Sequence, residues 1–170
     1  MNDPLNLKEY IRNLGGGKAS MPGAYETALY MAVIAHNGQT RKGSGEPYIV
    51  HPIRVAARAV MSADGLEPAD LEKLRIIAVL HDTVEDTDVT LDDIRVSFGA
   101  EVAASVSLLT RDNVMSYDEF IERLATSSNE LAVAVKIADL ADNMSDLDVS
   151  GSLWRRYHRA LTKLYKVFED

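Results

Sequence analysis

The stretch "HDTVED", residues 81–86, puts one histidine and three acids within six positions. Side chains four apart on a helix share a face. His81 would then meet Glu85, and Asp82 would meet Asp86. Two stacked carboxylates repel unless a cation lies between them, and a divalent ion held by His81 and Asp82 would supply that charge. The competing reading is a solvated helix end that carries acids by chance. It fits poorly, because acids favour the first turn of a helix and these follow the apolar run "LRIIAVL".

Two distant segments could complete such a site. His51 stands at the head of the apolar "HPIRVAARAV", where a lone histidine can equally be a packed core residue. Asp139 interrupts the apolar "LAVAVKIADLAD". A carboxylate is costly to bury without a partner, so Lys136, Arg75 or a metal must compensate it. His51, His81, Asp82 and Asp139 together offer two imidazoles and two carboxylates, leaving octahedral positions for water and a phosphate oxygen. The chain has no cysteine, which excludes disulfides and thiolate zinc sites. Manganese, magnesium, iron and zinc all suit the donors that remain.

The formal charge is −8 and the pI about 5.0, a field that repels nucleic acid polymers. One basic stretch, "TRKGSGEPY", stands out. It is too short for a duplex footprint and suits one small phosphorylated molecule. No apolar run approaches the 18 or so residues of a membrane span, and the start lacks a signal-peptide pattern. A cytoplasmic protein that uses neither membrane nor nucleic acid polymer is expected. Its oligomeric state is open.

The elements that must position these residues read as helices. Expected helices cover 4–14, 24–39, a segment with Pro52 in its first turn running to about 63, one opened by Pro68, 91–97, 100–110, 117–127, 129–145 and 152–168. Thr90 and Ser116 are the expected N-caps. Two glycines and a proline make "RKGSGEP" a loop. Strand alternation is not convincing anywhere. At 170 residues the chain is expected to be a single all-α domain, a bundle of eight or nine helices spanning 1–170.

With these residues in order, the chain resembles the HD superfamily of metal-dependent phosphohydrolases. More narrowly, "AHNGQTRKGSGEPYIVHPIRVA", "AVLHDTVEDTDVTLDDIRVSFGAEVAASVSLLTRD" and "VKIADLADNMSDL" are similar to the hydrolase domain of the Rel/SpoT alarmone enzymes and to its stand-alone relatives, over about 24–147. The resemblance implies an HD-domain bundle with His51, His81, Asp82 and Asp139 as metal ligands, usually for Mn²⁺. It implies that Glu85 and Asp86 position and deprotonate the attacking water. Arg41, Lys42 and Ser44 would lie against the nucleotide, and Asn143 against its sugar and phosphates. The implied substrate is a small hyperphosphorylated nucleotide, guanosine 3′,5′-bis(diphosphate) or its pentaphosphate form, giving GDP or GTP and pyrophosphate. The alternative is another small phosphorylated substrate: an adenosine alarmone, NADPH or a nucleoside monophosphate.

The chain departs from that pattern in three places. Gly43 lengthens the basic loop by one residue. Leu140 and Ser145 stand where the family often has cations, which implies weaker phosphate binding on that side. Arg155, Arg156 and Tyr157 read either as a solvated helix face or as residues that close the site. His36 reads as a core histidine rather than a ligand.

Overall fold

The computed structural model describes residues 23–112 and 114–169; the helix expected over 4–14 lies outside them. The described residues form nine α-helices: α1 (Ala24–Ala35), α2 (Val50–Met61), α3 (Pro68–Leu80), α4 (Thr83–Asp86), α5 (Leu91–Phe98), α6 (Ala100–Leu109), α7 (Tyr117–Ala125), α8 (Glu130–Met144) and α9 (Ser152–Tyr165). A 3₁₀ turn, Lys166–Phe168, follows α9. Among these residues the β pairing is one antiparallel bridge, Thr40 to Pro47.

The local chemistry explains most boundaries. Pro68 occupies the first turn of α3, where its missing N–H has no helical partner to lose. Thr90 and Ser116 cap α5 and α7 with reciprocal capping boxes through Asp93 and Glu119, satisfying amides that the first turn leaves open. The Asn129 side chain accepts the Ala132 amide at 2.9 Å and starts α8. α1 stops at Ala35, short of the expected residue 39, because three turn residues follow and Gly38 adopts φ +79°. That left-handed conformation ends a helix.

α3 is the central element, packed against α1, α2, α6 and α8. Its second half explains why: Leu74 and the run Ile76–Leu80 are buried almost completely, so this turn of helix is covered on every side. Each such Leu, Ile or Val side chain contributes about 1.5–3 kcal/mol by leaving water. α8 inserts Ala132, Val133, Val135, Ile137, Ala138 and Leu140 into the same core. α9 lies across α7 and α8, anchored by Ala160 and Leu164. His51, His81 and Asp139 are thus carried by elements fixed through their apolar neighbours.

Candidate active site

His51 enters from the first turn of α2, His81 from the residue after α3, and Asp139 from mid-α8. All three are buried, and each offers a ligand atom within 4.8 Å of the others. The His51 Nε2 lies 3.0 Å from Asp139 Oδ1 and 3.7 Å from Asp82 Oδ2. The His81 Nε2 lies 3.1 Å from Asp82 Oδ2 and 3.6 Å from Asp139 Oδ1. The four residues, singled out from three segments, therefore converge.

Neighbours fix how each imidazole faces. His81 Nδ1 sits 2.7 Å from the Ala78 carbonyl, which can only accept, so Nδ1 carries the proton. Its Nε2 is buried and has no aligned hydrogen-bond partner. His51 Nδ1 meets Asp142 Oδ2 at 2.8 Å, which likewise leaves Nε2 pointing at the carboxylates. An imidazole nitrogen without an aligned partner, opposite the buried Asp139 and the half-buried Asp82, suits a divalent cation, and each histidine has the outer partner that orients a metal ligand.

Charge is concentrated here. Burial works against a charged His81, but Asp82 and Asp139 outweigh it and push its pKa up to about 10. Burial would raise Asp82, yet the charge on His81 prevails and brings its pKa down to about 2. Burial opposes ionisation of Asp139 too, but Lys136, 2.8 Å away, and the two imidazoles hold its carboxyl well below the usual range. Lys136 is thus the cation that compensates Asp139. Arg75 instead lies over the Tyr25 ring.

The expected pairing of His81 with Glu85 does not occur. The helix breaks after Leu80, Asp82 becomes the N-cap of the short α4, and Glu85 and Asp86 fall in its first turn. The acids therefore do not close the long α3; they lie in a separate four-residue helix whose single turn is both its first and its last. One Glu85 oxygen accepts the Arg111 amide at 2.8 Å. Asp86 faces the other way, and its Oδ2 lies 3.3 Å from the Tyr48 hydroxyl. Burial, and then the charge of Asp82, raise the Asp86 pKa above the ordinary carboxylate value.

A cleft of about 920 Å³ opens beside the cluster. Arg41, Lys42, Ser44 and Asn143 line it, together with Tyr48, Asp86 and Tyr157. Gly43 and Gly45 both take positive φ in the loop, +98° and +73°, so the additional glycine is built into the turn. The loop is pinned by Arg41 N–H to Glu46 O at 2.9 Å and Tyr48 N–H to Gln39 O at 3.0 Å. Asn143 joins the two regions: its Nδ2 donates to Asp139 Oδ1 at 2.6 Å, and its Oδ1 accepts from Arg41 Nη2 at 3.2 Å.

Other expected positions resolve differently. Leu140 is buried in the apolar core, so it does not vacate a place in the cleft for a phosphate-binding cation. Ser145 is exposed and bonds the Asp142 carbonyl at 2.7 Å. Of the α9 residues, Tyr157 and Leu153 line the cleft, while the Arg156 guanidinium lies over the Tyr117 and Tyr157 rings. Arg155 is exposed and bonded to the Ser150 carbonyl. His36 is buried, as a core histidine should be, with Nδ1 at 2.8 Å from Gln39 Oε1 but Nε2 unpartnered.

Sequence reasoning missed Asp142, Arg54 and Tyr48. Asp142 is fully buried; besides His51 it accepts from Arg54 Nε at 2.9 Å and Arg58 Nε at 3.2 Å. Burial would raise its pKa, but Arg54 and His51 lower it. A signal existed, since Asp142 follows Asp139 by three and falls on the same helix face.

A family model described as an HD domain matches residues 28–168. This chain belongs to the HD-domain family. HD-domain hydrolases depend on a divalent metal, and the cluster of His51, His81 and Asp139 is a candidate place for one. The chain is 42% identical over 126 residues to human guanosine-3′,5′-bis(diphosphate) 3′-pyrophosphohydrolase MESH1, covering 71% of this chain and 68% of that protein. It is 34% identical over 149 residues to the Aquifex aeolicus guanosine-3′,5′-bis(diphosphate) 3′-pyrophosphohydrolase, covering 84% of this chain but only 20% of that protein. The chain thus spans about a fifth of such long curated relatives. A solved metazoan orthologue of SpoT, described as hydrolysing ppGpp, superposes with a TM-score of 0.68 at 29% identity, covering 89% of this chain and 97% of that one. No helix among the described residues is long and apolar enough to cross a membrane.

Proposed function

We propose that this HD domain, read as a single unit over 1–170, hydrolyses guanosine 3′,5′-bis(diphosphate) and its pentaphosphate form. Water would add across the bond between the 3′ oxygen and phosphorus, releasing pyrophosphate and GDP or GTP. The observation that carries this reading is the junction of two chemistries. A cluster of the buried His51, His81 and Asp139 with the half-buried Asp82 adjoins a cleft lined by Arg41, Lys42, Ser44 and Asn143. The names of the relatives at 42% and 34% identity support the substrate.

His51, His81, Asp82 and Asp139 would hold the metal, with Mn²⁺, one of the ions that accept imidazole and carboxylate donors, as the proposed ion. When bound, it supplies Lewis acidity and positive charge at the reacting phosphate. The chain's own groups do the rest. Asp86, at the cleft wall with a raised pKa, is suited to take the proton of the attacking water. Glu85, with one oxygen on the Arg111 amide, would hold the Asp86 segment in place and act on the proton only secondarily. Arg41 can grip a phosphate bidentately or stack on the base, whereas Lys42 acts as a point charge. Ser44 and Asn143 would add hydrogen bonds to the nucleotide. A cytoplasmic location fits such a substrate.

The test is direct. Purified protein with Mn²⁺ and guanosine 3′,5′-bis(diphosphate) should yield GDP and pyrophosphate in equal amounts by chromatography. Turnover of NADPH, an adenosine alarmone or a nucleoside monophosphate without turnover of the guanosine compound would overturn the substrate assignment and leave the phosphohydrolase reading.

A further inference from the structure

Tyr48 lies at the junction of the cluster and the cleft. Its hydroxyl donates to Asp82 Oδ2 at 2.6 Å and lies 3.3 Å from Asp86 Oδ2. Asp82 Oδ2 is the same oxygen that faces the His81 Nε2 at 3.1 Å and the His51 Nε2 at 3.7 Å. A carboxylate oxygen has two lone pairs. With one taken by the Tyr48 hydroxyl, the other is directed at the space between the imidazoles.

The ring is itself held. Its backbone amide is bonded to Gln39 O at 3.0 Å, and the His36 ring packs on it with centroids 4.8 Å apart. His36 Nδ1 meets Gln39 Oε1 at 2.8 Å, and Gln39 Nε2 donates to the Asp86 carbonyl at 2.9 Å. Side chain and backbone of Asp86 are thus both reached from the 36–48 segment.

We infer that Tyr48 is a positioning residue that locks the metal-facing oxygen of Asp82 and sets the Asp86 carboxylate at a fixed distance from it, with His36 and Gln39 bracing the arrangement. The inference rests on the proposed metal site. It does not make Tyr48 a ligand or a proton donor to substrate.

The test uses Tyr48→Phe, which keeps the ring and its packing on His36, with Tyr165→Phe on the exposed end of α9 as control. Mn²⁺ alone is titrated into metal-free protein by calorimetry, and kcat and KM are then measured at saturating Mn²⁺. Tyr48→Phe should bind Mn²⁺ about 10–100-fold more weakly, the usual effect of removing a partner behind a ligand. It should also lower kcat at saturating metal while KM changes by no more than about twofold. Unchanged Mn²⁺ affinity and kcat would overturn the inference, and so would a rise in KM alone, which marks a substrate contact. A wild-type protein that binds no Mn²⁺ would instead overturn the metal site itself, so the two failures are distinct. A circular-dichroism melt within a few degrees of wild type shows that the variant is folded.

Discussion

The candidate metal cluster and the 39–48 loop border one cleft, yet they are built from opposite materials. His51, His81 and Asp139 project from helices whose neighbouring positions are buried, and each orienting partner is on helix α3 or α8. The loop carries exposed Lys42 and Ser44, two glycines at positive φ and a single β bridge. Chemistry common to a family needs ligand geometry fixed to a fraction of an ångström, which packed helices supply. Recognition of a particular nucleotide needs a surface that tolerates insertion, and loops accept added residues at little entropic cost.

That contrast predicts a descending series of effects. Asp82→Ala should remove bound metal, measured by atomic absorption, and all turnover with it; a metal-free variant with full activity would dissolve the distinction between the regions. Asp86→Asn should keep the metal and lose about 10²–10⁴ in kcat, whereas Glu85→Gln, which can still accept the Arg111 amide, should lose far less. Equal losses would restore both acids to the chemistry. In the metal-free protein the Asp86 carboxyl should titrate above the ordinary carboxylate range, through burial and the charge of Asp82, followed by its carboxyl carbon in NMR; an ordinary or lowered midpoint would contradict that.

Asp142→Asn should weaken Mn²⁺ binding about 10–100-fold by titration, since it orients His51. Its pKa is depressed in the folded protein. Its ionised form therefore stabilises the fold above its unfolded value, and that contribution disappears as pH falls through the folded one. Melts from pH 6 to pH 3 should drop less steeply in Asp142→Asn than in wild type. On the loop side, Arg41→Ala should raise KM about tenfold or more, the effect of one lost charged hydrogen bond, with metal affinity changing far less than in Asp142→Asn. Smallest of all, Gly43→Ala should cost about 1–2 kcal/mol for the left-handed backbone, lowering Tm by roughly 2–8 °C.

The same division explains what the sequence made legible. The helices were readable because their periodicity and caps are local, as at Thr90, Ser116 and Pro68. His51, His81 and Asp139 were readable because each is an ionisable group in or at the edge of an apolar run, a conflict that only a partner can resolve, and Asp82 because it opens a cluster of acids. Tyr48 was not, since a tyrosine before an apolar helix is unremarkable until its hydroxyl is seen 2.6 Å from Asp82. The break between Leu80 and Thr83 was also hidden, because nothing in "LHDTVED" forbids a continuous helix. The choice between Lys136 and Arg75 as partner of Asp139 depended on which helix face met which neighbour, a tertiary fact. Leu140 misled for the same reason: its position in the motif suggested the cleft, but the packing of α8 turned it into the core.

Asn143 holds Asp139 with one end of its amide and Arg41 with the other. On the proposed function, a cation drawing on Asp139 and a phosphate drawing on Arg41 would both act on that side chain, and binding of one would alter the conditions for the other. Thermodynamic reciprocity then applies: whatever factor the ion confers on nucleotide affinity, the nucleotide confers on ion affinity. A cell's supply of free metal and its level of nucleotide would therefore be read jointly, through one amide.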